Sequence, residues 1–183
     1  MPTQPDRDPA PVIVRPLAPA DVPAFLDLVD ALADYEHLPR PDAGARGRMA
    51  RDALAEPRRF WVLLAEQAGR AVGYAVYFET YSTFLGLPTL YVEDVFVLEG
   101  ERGRGVGRAL MRELAREAVW RGCGRMEWQV LTWNAPALAF YERLGAAPLA
   151  EWRSYRLTVD GFARLAENDG LNHRDTEDTE GDG

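Results

Sequence analysis

The chain has 183 residues, 47% of them hydrophobic and 27% charged, a composition that suits a soluble globular protein and excludes fibrous and repeat classes. All 21 basic residues are arginine, so a Walker phosphate loop, a pyridoxal Schiff base and a lysine-armed aldolase cannot be built. One cysteine, Cys123, and two histidines, His37 and His173, exclude a disulfide framework, a four-ligand Cys/His zinc site and a zinc-protease helix; no metal is expected, and a reducing cytoplasm is.

The net charge of −8 is unevenly spread. Residues 167–183 hold seven acids and one arginine, while residues 1–166 are nearly balanced at −2. This distribution predicts an acidic disordered tail over 167–183 and argues against a nucleic-acid partner. Residues 1–11, with four prolines and no apolar stretch, read as a disordered N-terminal segment with neither leader nor anchor. No run approaches the ~18 apolar residues that cross a membrane. The folded domain is expected over 12–166.

In chain order, a short strand over Val12–Arg15 precedes a helix that starts at Pro19 and buries Val22, Phe25, Leu26, Val29 and Leu32 at three- and four-residue spacing as far as Asp34. Pro39, Pro41 and Gly44 mark a loop, and 46–55 a second, weaker helix. Apolar runs at 60–65 and 71–78 around a turn at 66–70 read as a hairpin. A long strand follows over Leu90–Leu98, then a glycine-rich turn over 100–107 and an amphipathic helix over 108–121 stopped at Gly122. Met126–Leu131 reads as a strand, and Asn134 caps a helix over 137–144 with Pro136 in its first turn. A last strand is expected over Trp152–Val159. The alternation predicts an α/β fold on a mixed, mostly antiparallel sheet flanked by helices.

Two features stand out chemically. The glycine-rich turn between a strand and a helix suits an anion, because glycines let backbone N–H groups approach it and the helix N-terminus is electropositive. Arg102, Arg104 and Arg108 add to that sign. The dinucleotide fingerprint fails, since Leu110 stands where its third glycine belongs. Glu93 and Asp94 interrupt an otherwise hydrophobic strand, whose period of two would point one carboxylate to each face. Unpaired burial would be costly, so the pair either receives a cation or meets arginines in ion pairs.

Arg102-x-x-Gly105-x-Gly107, after a hydrophobic strand and opening a helix, resembles the acetyl-CoA pyrophosphate loop of the GCN5-related N-acetyltransferases (GNAT). Asn134-Ala135-Pro136-Ala137-Leu138-Ala139-Phe140-Tyr141, running on to Gly145, is similar to that family's second signature. Tyr35-Glu36, the run Leu90 to Val97 and Trp133-Asn134 look most like its diamine, or spermidine/spermine, branch. The resemblance implies an acetyl-CoA-dependent N-acetyltransferase acting by direct attack of a small diamine or polyamine. An amino-acid side-chain amine, an antibiotic amine or a non-catalytic CoA-binding module are the alternatives. It also implies a homodimer.

Carried over by position, the backbone of Val95, Phe96 and Val97 would meet the pantetheine arm. Arg102, Gly103, Arg104, Gly105, Val106, Gly107 and Arg108 would wrap the pyrophosphate. Asn134, Ala135, Pro136 and Ala137 would line the thiol end, with Tyr141 there as general acid. A phenol of ordinary pKa about 10 is a sensible donor to a leaving thiolate. Glu93 would take the proton of the substrate ammonium, with Tyr35, Glu36, Asp94 and Trp128 binding the amine.

Overall fold

A computed structural model describes residues 10–167. The expected disorder of the two ends therefore lies almost wholly outside the described residues. The chain divides into two compact units, Met1–Leu131 and Thr132–Gly183.

The first unit holds β1 (Ile13–Pro16), α1 (Val22–Tyr35), α2 (Ala43–Asp52), β2 (Trp61–Gln67), β3 (Arg70–Ser82), β4 (Leu87–Val97), α3 (Val106–Trp120) and β5 (Arg125–Trp128). The five strands lie in chain order; the first three pairings are antiparallel and β4 with β5 is parallel. The mixed, mostly antiparallel sheet expected from the sequence is thus the one observed. Crossing back in parallel requires a connection long enough to hold a helix, and α3 is that connection.

Strand alternation splits the core. Val62 and Leu64 of β2, Tyr74 and Val76 of β3 and Phe96 of β4 form one cluster with Leu17 and with Phe25, Leu26 and Leu28 of α1. Phe25 sets its ring edge against Tyr74 at 5.3 Å, in a T-shaped pair. Val106, Leu110, Leu114 and Ala118 are the buried stripe of α3.

Local signals explain most boundaries. The helix expected over 46–55 begins at Ala43, because the Asp42 side chain accepts from the Ala45 N–H at 2.7 Å and caps it. The strand expected as far as Leu131 ends at Trp128, where its ladder with β4 ends. No helix among the described residues is long and apolar enough to cross a membrane.

The second unit carries α4 (Ala135–Arg143) and α5 (Val159–Glu167). The strand expected over Trp152–Val159 is not formed: 152–158 is irregular and α5 begins at Val159. Apolar composition states only that a segment can pair, and a strand exists through its ladder. Val159, Phe162 and Leu165 recur at helical spacing, which the strand reading overlooked.

Candidate active site

The centre of the first unit's site is a fault in a strand. Asp94 stands opposite Val76 and Val92 opposite Tyr77, so two β4 steps face one β3 step and Glu93 is the extra residue of a β-bulge. A bulge breaks the period of two. The expectation that Glu93 and Asp94 face opposite sides of the sheet is therefore corrected: both line one cavity. Glu93 is exposed at it and Asp94 is half-buried, so only one of the two carboxylates bears a large burial cost.

The cavity encloses about 510 Å³, within the roughly 300–1,000 Å³ typical of small-molecule sites. Phe25, Phe60 and Phe78 supply aromatic wall, Val29, Val76 and Met49 aliphatic wall, and Arg59 a third charged group. None of Arg59, Phe60 or Phe78 was singled out from the sequence. One arginine among 21 carries no mark, and only the position of the segment entering β2 brings it to the bulge.

Burial, reinforced by the neighbouring Glu93 charge, pushes the Asp94 carboxyl up to about 6. The buried Tyr74 hydroxyl opposes this by donating to Asp94 Oδ2 at 3.4 Å, and the Glu36 charge adds to the rise. Burial likewise raises the Glu36 carboxyl, and burial beside Asp94 holds the Tyr74 phenol well above its usual range. No arginine forms an ion pair with Glu36, Glu93 or Asp94 among the described residues. Nor do these residues include a cluster able to hold a metal ion.

The glycine loop follows β4. Gly103 and Gly105 take φ of 76° and 84°, the left-handed region that glycine enters without strain. Gly105 is the N-cap of α3 and offers no side chain. The first helical bond runs from the Ala109 N–H to the Gly105 carbonyl at 2.9 Å, and the N–H groups of Val106, Gly107 and Arg108 find no backbone acceptor among the described residues. Open space surrounds the Cβ positions of Gly103 and Gly105. A pyrophosphate fits this cradle by charge, donors and room.

The three loop arginines differ in situation. Arg102 donates from Nε to the Val97 carbonyl at 3.1 Å and lies 4.3 Å over the Tyr35 ring, which itself packs on Phe96. Arg104 pairs with Glu101 at 2.9 Å, and Arg70 holds the same carboxylate. Arg108 is exposed and makes no ion pair among the described residues. Tyr35 thus ties the end of α1 to the loop.

The ladder between β4 and β5 stops at Val92 opposite Trp128. Among the described residues no strand pairs with Glu93 to Val97 on that edge, so the backbone of Val95, Phe96 and Val97 is where an extended ligand could pair. Trp128, half-buried, closes the paired part. In the second unit, Asn134 caps α4 by accepting from the Ala137 N–H at 3.3 Å, with Ala135 and Pro136 in the first turn. Tyr141 lies on the same helix, its ring 5.1 Å from that of Phe140. The structure therefore gathers Glu36, Glu93, Asp94 and Tyr74 around one cluster, Tyr35 and Arg102 around another, and Asn134 to Ala137 with Tyr141 on α4.

Comparison with known proteins bears on this arrangement. The family profile described as Acetyltransferase (GNAT) family matches residues 25–146. A thialysine N-epsilon-acetyltransferase of Sus scrofa is 32% identical over 86% of this chain and 98% of its own length. An L-ornithine N5-acetyltransferase, NATA1, of Arabidopsis thaliana is 43% identical over 51% of this chain, a match that spans 41% of that protein. Among solved structures, an integron cassette protein of V. cholerae shares the fold with a TM-score of 0.75 and 23% identity, over 85% of this chain and 98% of its own.

Proposed function

The chain belongs to the GNAT acetyltransferase family, whose members use acetyl-CoA as cosubstrate, and from that premise we propose that it acetylates a primary amine of a small cationic molecule by direct attack. Diamines, polyamines and amino acids with a terminal side-chain amine share that reacting group. The relatives named for thialysine and ornithine favour the last of these. The observation that carries the reading is the pair Glu93 and Asp94 at the bulge, which forms no ion pair among the described residues and feels the Glu36 charge as well.

An alkylammonium has an ordinary pKa near 10, so at neutral pH the amine arrives protonated and cannot attack a thioester. Asp94 draws the cation to the apolar-walled cavity, with the Glu36 charge adding to the attraction, and the low-dielectric walls strengthen it. Glu93, exposed at the same cavity, takes the proton directly or through water. The freed nitrogen forms its bond to the acetyl carbonyl carbon as the carbon–sulfur bond breaks. The departing thiolate then takes a proton from Tyr141, the role its motif implies, and the second proton shed by the acylated nitrogen restores the phenol by way of solvent. The donor's pyrophosphate is held by the N–H groups of Val106, Gly107 and Arg108, with Arg108 adding charge. Val95, Phe96 and Val97 offer their backbone to the pantetheine arm. Exposed Phe84 and Trp120 are in keeping with the homodimer that the resemblance implies, which sedimentation velocity would reveal or exclude.

Thiol release from acetyl-CoA, measured across diamines, polyamines, amino acids and aminoglycosides, tests this reading. Turnover with at least one small aliphatic amine is expected, and Tyr141→Phe should lower kcat by about 10²- to 10⁴-fold with CoA binding retained. No thiol release with any amine, from protein that binds CoA, would overturn the proposal.

A further inference from the structure

Arg59 stands just before β2, is exposed, and lines the same cavity as Glu93 and Asp94. Its neighbour Arg58 is paired with Glu56 at 3.4 Å. Arg59 itself makes no ion pair or hydrogen bond among the described residues. Two carboxylates share the cavity with it, yet neither comes within ion-pair reach. The cavity therefore has an anionic pole and, separate from it, a cationic group exposed to solvent.

That division discriminates between kinds of acceptor. A diamine can satisfy the carboxylates, but its second cation finds a guanidinium in the same cavity. A polyamine brings still more positive charge to it. A guanidinium has only donors, arranged as a planar fork that matches a carboxylate. A molecule with an ammonium at one end and a carboxylate at the other meets both poles, and like-charge repulsion rejects its competitors.

We propose that Arg59 is a specificity-determining residue that binds the α-carboxylate of the acceptor, which makes the acceptor an amino acid bearing a primary amine at the end of its side chain. The inference rests on the reading that Glu93 and Asp94 collect the reacting ammonium.

The test compares L-ornithine with 1,4-diaminobutane, which differ by the carboxylate alone, using the full chain and acetyl-CoA with thiol release as readout. Wild-type protein should favour ornithine in kcat/KM by at least about tenfold. Arg59→Gln should raise KM for ornithine about 10- to 100-fold with little change in kcat, and should lower KM for the diamine a few-fold, because the repelling guanidinium is gone. Arg59→Lys, which keeps the charge but not the fork, should recover part of the loss. Calorimetric titration of ornithine onto the CoA complex should show the same weakening, and unchanged melting would exclude misfolding as its source. Acetylation of both amines with a ratio that Arg59→Gln does not move would overturn the role of Arg59 and leave the amine acetyltransferase reading intact. Failure of the wild type to acetylate any amine would instead remove that reading and this inference with it.

Discussion

Asp21 and Asp94 belong to the same unit and start from the same ordinary carboxyl value of 3.8, yet one is lowered to about 2 and the other raised to about 6. Asp21, beside the first turn of α1, receives Arg15 through Nη1 at 2.5 Å and Nη2 at 2.9 Å, together with the Ala18 N–H at 2.8 Å. Glu66 of β2 holds the same guanidinium. Asp94 is buried more deeply, has the charges of Glu93 and Glu36 nearby, and receives only the Tyr74 hydroxyl. The first carboxylate completes a structural corner with its counter-charge inside the fold. The second has no ion-pair partner among the described residues, and the ammonium of the proposed substrate would supply one. The difference between the two carboxylates supports the role proposed for the second.

The largest effect expected from this contrast is kinetic. Glu93→Gln should lower kcat/KM about 10²- to 10³-fold and move the rising limb of its pH profile upward, because the amine then loses its proton acceptor. An unchanged profile would put the base elsewhere.

Asp94→Asn should weaken amine binding and at the same time stabilise the apo fold at pH 8, by about 2 kcal/mol or roughly 4–8 °C in Tm. The direction follows from the raised value. Above about 6 the native state bears the whole cost of an ionised buried carboxylate, and as pH falls toward 3.8 that cost disappears. The advantage of the mutant should therefore shrink between pH 6 and 4. A mutant that melts lower at pH 8 would show that Asp94 is structural after all.

Asp21→Asn should do the reverse on a smaller scale. It should cost about 1 kcal/mol at pH 7, since the pair is partly exposed to solvent. The contribution of a lowered carboxyl is present above 3.8 and lost as pH falls through about 2. Turnover per folded molecule should not change, and a lower kcat at equal fold would contradict the structural assignment.

The smallest effect sharpens the electrostatics. Removing the Glu93 charge should lower the Asp94 carboxyl from about 6 by less than about one pH unit, because burial rather than Glu93 is its first cause. Carboxyl-carbon NMR titration of Glu93→Gln reads this directly, and a fall to the ordinary value would make Glu93 the leading cause.

What the sequence determined by itself is what neighbouring residues enforce. The stripe of α3 needs only its own spacing, Asn134 caps α4 with its own side chain, and Gly105 opens α3 because a left-handed residue is needed at that point. The glycine loop and the signature on α4 were legible for the same reason. The tertiary structure decided whatever depends on a partner strand. Strand period alone sends Glu93 and Asp94 to opposite faces, and only the register of β4 against β3 inserts the bulge that brings both to one cavity. Arg59 reaches that cavity through the placement of β2, and Trp152 to Thr158, for all its strand-like composition, forms no ladder. Local hydrogen bonds and side-chain periods are written in adjacent residues, whereas register is a property of two segments together, and this site is made by register.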